Sequence, residues 1–531
     1  MNTTLTGTGG LVRLVLRRDR VLLPIWVLAF GLLPVSFAGA TAQVYPTPEQ
    51  LRQYHDSIVA NPALRGTIGE VFGSNLGALT AWRSGTLMMF MAIVSLLTVI
   101  RHTRAEEDAG RRDLVGSAVV GRHAHLAAAL AVTFAADLAV GLLIAATMAG
   151  YGTAGALAYG LVFAVTGWFF AAVGALAAQL TEGAGAARGI AMSVVGVAFV
   201  LRAAGDSSGS GGDIGWLSWL SPLGVAQRIR PYAGERWGLA LALVLVSATL
   251  IAAAAALASR RDVGAGVLPA RLGPATASPR LGSPLGLAWR LHRGSLLAWT
   301  FGLAAIGVVI GGASRDIEGF AQSPQVQQYL ARLGGADVLR DAYLAASLGL
   351  LAIAAAGFAV QAALRMRAEE TALRAEPVLA TAVSRPAWLT SHLVFALLGP
   401  AAALAALGLT MGLASTEAGD DPAARVAATM SGAIAHLPAV WVLAGVAVAV
   451  FGLLPGASNA LAWGAFAVCA FLTFVGQILD LDQRLLDLAP FTHVPRLPGS
   501  EFTATPLLWL AGAAAVLIAA GLAGFRRRDL G

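Results

Sequence analysis

Long apolar stretches recur from one end of this chain to the other, and no other feature constrains its fold as strongly. A helix crosses the hydrocarbon core of a bilayer with roughly 20 apolar residues. Runs of about that kind occur at Val21–Ala40, Trp82–Ile100, Ala124–Gly150, Ala154–Ala178, Gly189–Leu201 and Leu239–Ala258. After a segment bearing arginine and proline, residues 260–290, six more follow at Leu296–Gly312, Tyr343–Leu364, Trp388–Leu413, Val426–Leu454, Ala457–Ile478 and Pro506–Phe525. The backbone polar groups of a lipid-exposed segment must pair internally, which a helix achieves within one run. The sequence therefore predicts an all-α polytopic membrane protein of about twelve transmembrane helices, organised as residues 1–259, a linker 260–290, and residues 291–531. The first run follows Arg13, Arg17, Arg18 and Arg20 but outlasts a signal-peptide core and lacks a cleavage pattern, so it reads as a retained helix.

Composition narrows the function. Of 531 residues 57% are hydrophobic and 12% charged, about half the charged share of a soluble domain. All 36 basic side chains are arginine. Without lysine the chain holds no Walker A loop, so any ATP hydrolysis is expected in another subunit. The single cysteine, Cys469, lies in an apolar run, which leaves neither a disulfide framework nor a thiolate metal cluster. The net charge of +7 suits anionic lipid headgroups beside helix ends rather than nucleic acid. With the amino terminus in the cytosol, 23 of the 36 arginines fall in segments on that side. The positive-inside rule then predicts a multi-pass protein of the cell membrane with both termini and the linker cytosolic.

The two halves repeat. A shift of 263 lays Arg104–Arg122 over Arg367–Arg385 without a gap, and nine of nineteen positions are identical. Leu220-Ser221-Pro222 matches Leu488-Ala489-Pro490 at a shift of 268, and Arg260-Arg261-Asp262 matches Arg527-Arg528-Asp529 at 267. Six helices per half give both halves the same orientation in the membrane, hence two parallel repeats and a pseudo-twofold axis along the membrane normal.

The strongest repeated element is Arg-Ala-Glu-Glu, directly after the second helix of each half. Its candidate site residues are Arg104, Glu106, Glu107 and Arg111 in the first half, and Arg367, Glu369, Glu370 and Arg374 in the second. Glu107 and Arg111, like Glu370 and Arg374, stand four apart with the acid first, a spacing that favours pairing on a continuous helix. A solvated helix end is one reading; a coupling helix that meets a cytosolic partner once per half is the sharper one. Tyr45–Ala81 and Ser314–Asp341 carry apolar residues at helical spacing, Leu51, Tyr54 and Ile58 among them, and read as amphipathic segments at the opposite face. Asp206–Asp213 reads as a flexible loop. Within the helices Asp137, His436, Gln361 and Asn459 are costly in lipid and face a cavity or a partner. Asp137 and His436 are the candidates for a substrate pathway, and position 400, which matches Asp137, is proline, so no symmetric ion site is expected. No His-Glu-x-x-His or Gly-x-Ser-x-Gly spacing occurs, so the chain reads as a transporter rather than an enzyme.

These features resemble the type-2 ABC transporter permeases, in particular the fused twelve-helix branch of antibiotic and polyketide exporters. The resemblance covers nearly the whole chain. It is carried by Arg104-Ala105-Glu106-Glu107 through Gly110-Arg111, by Leu220-Ser221-Pro222-Leu223-Gly224 through Arg230-Pro231-Tyr232-Ala233-Gly234, and by the terminal Arg-Arg-Asp. Thr371 and Leu373 stand in the second copy where the first has Asp108 and Gly110. The resemblance implies a permease held by two copies of a cytosolic ABC ATPase subunit, which bind ATP and magnesium and drive export of hydrophobic antibiotics or drugs. The alternatives are a proton-coupled secondary transporter, which would be expected to use several intramembrane acids where Asp137 is the clear one, and a membrane enzyme or scaffold, whose histidines would have to cluster.

Overall fold

The computed structural model describes residues 3–112, 119–209, 213–268, 275–315, 336–417, 419–474 and 482–529. Most of the Ser314–Asp341 segment, residues 210–212 of the Asp206–Asp213 loop and the end of the run expected to reach Ile478 lie outside that set. Among the described residues the chain is helical, with no strand. Twelve of its helices are long and apolar enough to cross a membrane. The first six are α1 (Leu22–Val44), α2 (Gly85–His102), α3 (Ala124–Met148), α4 (Thr153–Leu180), α5 (Ala184–Ser207) and α6 (Trp237–Arg260). The second six are α7 (Pro284–Ser314), α8 (Ala336–Thr371), α9 (Arg385–Ser415), α10 (Pro422–Leu453), α11 (Ser458–Phe474) and α12 (Ala504–Arg527). The chain divides into two compact units, Met1–Gly273 and Pro274–Gly531.

In the first unit α4 is central and packs against α2, α3, α5 and α6. Lipid supplies no hydrophobic drive between helices, so tight packing depends on small residues that let backbones meet. A Cβ added at Gly160 of α4 would lie 2.1 Å from the Gly141 carbonyl oxygen of α3, and one at Gly174 would lie 2.8 Å from that of Leu96 in α2. The second unit uses the same device elsewhere. Its α8 packs against α7, α9, α10 and α11, and Gly452 of α10 meets Gly521 of α12 so closely that an added Cβ would lie 2.1 Å from the Gly521 oxygen.

Several boundaries differ from the sequence reading, for local reasons. The run expected from Trp82 is cut at Ser84: Trp82 belongs to a short helix, Leu76–Arg83, started by the Asn75 side chain, and α2 begins only at Gly85. Gly85 touches the backbone of Ile68, where no side chain fits. The helix α7 starts at Pro284, inside the expected linker, because Ser283 accepts the Gly286 amide at 3.1 Å ahead of an N-terminal proline. Asp206 and Ser207 are helical rather than part of a loop. The amphipathic reading of Tyr45–Ala81 corresponds to helices Pro48–Ala60, Pro62–Ile68 and Leu76–Arg83, with Ile58 buried and Leu51 and Tyr54 packed in the same cluster as Trp82.

Candidate functional site

The Arg-Ala-Glu-Glu element sits where α2 ends. Residues Arg104–Asp108 form a separate helical turn, and Gly110 then takes a left-handed conformation at φ 66° that reverses the chain. This reversal corrects the expected pairing. Arg111 does not meet Glu107 four residues back; its guanidinium binds both oxygens of Glu106, at 2.8 and 3.0 Å, and Arg18 reaches the same carboxylate at 2.6 Å. Glu107 is held by Arg104, by Arg112, and by both terminal nitrogens of Arg261, each at 2.9 Å.

The second unit repeats the arrangement with different backbone. Here α8 continues through Thr371, and Leu373 adopts the left-handed turn at φ 56° that Gly110 adopts in the first copy. Arg374 binds Glu369 at 2.7 and 3.2 Å, not Glu370, so the expected pairing fails here for the same reason. Arg365 also binds Glu369, at 2.9 Å. Glu370 accepts from Arg367 at 3.0 Å and from both terminal nitrogens of Arg528 at 2.6 and 3.0 Å. In each unit, then, the first glutamate is bound by the arginine beyond the turn. The second is clamped between the arginine three residues before it and the second arginine of Arg-Arg-Asp.

The charges around Glu107 and Glu370 are not solvated. The Arg104 side chain is 0% exposed and Glu107 2%, with Arg261 at 6%. Arg104 spends its remaining donors on the carbonyls of Glu182, at 2.8 Å, and Gly264, at 2.8 Å. Arg261 also reaches the Gln179 side chain at 2.9 Å, and the Asp108 carboxylate accepts the backbone amide of Ala184, the first residue of α5, at 2.6 Å. One buried cluster thus ties the end of α2 to the end of α4, the start of α5 and the segment after α6. Burial pushes the Arg261 guanidinium down, whereas the bonds to Glu106 and Glu369 push Arg111 and Arg374 up. A further tether is shared: Arg122 donates to the Ser259 carbonyl at 2.7 Å, and its counterpart Arg385 to that of Arg528 at 2.6 Å.

Sequence reading identified both glutamate pairs and their near arginines but not Arg18, Arg112, Arg261, Arg365 and Arg528. For Arg261 and Arg528 a signal existed, since the Arg-Arg-Asp match at a shift of 267 superposes them. Their distance from the glutamates along the chain concealed what they bind.

Asp137 and His436 lie apart from these clusters. Asp137, on α3, is buried in the first unit, where Ser95 of α2 donates to one carboxylate oxygen at 2.8 Å and Gly167 of α4 leaves room for the group. His436 interrupts α10 between Pro422–Ala435 and Leu437–Leu453. Its amide turns to the Ala433 carbonyl, and its ring Nδ1 donates instead to the Gly432 carbonyl at 2.7 Å. The ring thereby satisfies a carbonyl that the broken helix abandons. Gln361 accepts from the Trp299 indole at 2.9 Å.

Comparison with known proteins adds a family. Residues 281–526 match the family described as the C-terminal domain of the multidrug efflux system permease Rv1217c. The whole chain is similar to the multidrug efflux system permease protein Rv1217c of Mycobacterium tuberculosis (strain ATCC 25618 / H37Rv). The two are 43% identical over 529 residues, covering 99% of this chain and 95% of that one.

Proposed function

We propose that this chain, which belongs to the multidrug efflux permease family, exports hydrophobic compounds with energy from ATP hydrolysed in two copies of a separate cytosolic ATPase subunit. It is a multi-pass membrane protein, and its relative is named a drug-efflux permease. In this reading the chain binds no nucleotide, and ATP and magnesium belong to the partner. The absence of lysine supports that division of labour, because a P-loop needs one. The reading places both termini and the 260–290 linker in the cytosol and takes residues 1–259 and 291–531 as the two six-helix halves.

The observation that carries the reading is the repeated clamp on Glu107 and Glu370. In the first unit it joins several helix ends in one buried cluster, so a displacement applied to the turn after α2 moves those ends together. A drug that partitions into hydrocarbon has no reason to visit such a cluster, whereas a soluble motor subunit docks where helix ends emerge. The glutamates accordingly act by holding the coupling element to its own helices, not by reaching out to the partner.

The test is transport into inside-out vesicles bearing this chain with and without its cognate ATPase subunit. ATP-dependent uptake of a fluorescent hydrophobic drug is expected only when both are present. Uptake driven by a proton gradient alone, with no ATPase, would sink the reading.

A further inference from the structure

The helix Thr8–Arg18 carries Leu11, Leu14, Val15 and Arg18 three and four residues apart, so all four share one face. That face lies against the start of α3, where Leu11 is buried with Ala124 and Ala128. Backbone bonds fix the placement: the Gly121 amide donates to the Thr6 carbonyl at 2.9 Å, and the His123 amide to that of Thr4 at 3.0 Å. Between this helix, α3 and the turn after α2 lies an open groove of ≈ 430 Å³, within the size range of ligand sites. Leu11, Leu14, Val15 and Ala128 make its apolar side, and Arg18, Arg111 and Arg112 its basic side.

The basic side is reachable and short of anions. The Arg18 and Arg111 side chains are 35% and 51% exposed. Both bind the same oxygen of Glu106, Oε1, at 2.6 and 3.0 Å, so the two guanidinium groups stand side by side over one negative charge. Among the described residues nothing accepts from the Nε and second terminal nitrogen of Arg18, or from the remaining terminal nitrogen of Arg111. Arg112 is bound by Glu107, which Arg104 and Arg261 share. Glu106 is the one carboxylate in the described lining, against three arginines. An anion beside Arg18 and Arg111 offsets that excess, and phosphate oxygens suit the donors of a guanidinium group.

We infer that this groove binds an anionic phospholipid of the cytosolic leaflet, with the phosphate on Arg18 and Arg111 and the start of an acyl chain along Leu11, Leu14 and Val15. A soluble phosphate leaves the apolar side in water, and a neutral amphiphile leaves the arginines unmatched; an anionic lipid answers both. The helix itself favours a membrane source, because Leu14 and Leu16 are 45% and 48% exposed among Arg13, Arg17 and Arg18, the pattern of a helix lying in the headgroup region. A lipid held there ties this helix to the turn that carries Glu106. The inference goes beyond drug export and takes from that reading only which leaflet supplies the lipid.

The test titrates the purified full-length chain in detergent with phosphatidylglycerol and with phosphatidylcholine of the same acyl chains, bound lipid being counted by native mass spectrometry. The unaltered chain should bind phosphatidylglycerol about tenfold more tightly. Arg18→Gln should reduce that preference to about twofold, whereas Arg13→Gln, which removes the same charge from the opposite face of the helix, should leave it unchanged. Equal binding of the two lipids by the unaltered chain overturns the site without any variant having to fold. A preference that survives Arg18→Gln places the lipid elsewhere, and an equal loss in Arg13→Gln reduces it to a general attraction toward basic surface; either result overturns the site. Displacement of the lipid by glycerol 3-phosphate at comparable concentration assigns the groove to a soluble phosphate and overturns the lipid. ATP-dependent export in vesicles is measured apart from lipid binding, so its loss refutes the export reading alone.

Discussion

Glu106 and Glu107 are neighbours in sequence and unlike in environment. The partners of Glu106, Arg111 and Arg18, have side chains 51% and 35% exposed, and such pairs contribute about 1 kcal/mol or less. Glu107 is enclosed with Arg104 and Arg261, and removing one member of a buried ion pair costs about 3–5 kcal/mol because the other charges stay buried. Glu107→Gln should therefore lower stability far more than Glu106→Gln, measured as thermal unfolding of the purified chain in detergent. Exchanging the charges of the equivalent pair, Glu370→Arg with Arg528→Glu, should recover part of what either single change loses. Equal melting shifts for Glu106→Gln and Glu107→Gln would contradict the buried clamp.

The repeated element keeps its geometry while its sequence drifts. Gly110 and Leu373 occupy equivalent left-handed turns, although only glycine does so without steric cost, and Leu373 is 64% exposed with little packing to lose. Leu373→Gly is expected to stabilise the chain by about 1 kcal/mol, and Gly110→Leu to destabilise it by a similar amount. Denaturation midpoints of the two variants check this, and a loss of stability in Leu373→Gly would refute it. Elsewhere the copies have diverged in chemistry. Ser221 caps the helix Pro222–Gln227 and donates to the Ala198 carbonyl at 2.6 Å; its counterpart Ala489 has no hydroxyl to do either, and a 3-10 turn, Pro490–His493, follows it.

Orientation is the property of the whole molecule on which the coupling proposal depends. In a chain whose Cys469 has been replaced, a thiol introduced at Thr276 should be protected from an impermeant reagent in intact cells, while one at Ser208 reacts. The opposite pattern would place the arginine clamps outside and remove them from any cytosolic motor.

Twelve membrane helices were legible in the sequence because the hydrocarbon thickness imposes a length on each apolar run, a condition written locally along the chain. The paired Arg-Ala-Glu-Glu elements were legible too, as a repeat. Which charge meets which was not. Helical spacing pointed Arg111 at Glu107, and a single left-handed residue redirected it to Glu106. The partners that bury Glu107 and Glu370 come from the far ends of their units, at Arg261 and Arg528. Side-chain pairing is set by where helix ends converge in space, and no local periodicity encodes that. The sequence alone thus determined the number of helices and the presence of an internal repeat, through local hydrophobicity and internal identity. Only tertiary packing decided which charges are buried and which distant partners bind them, because burial and long-range pairing exist only between segments brought together.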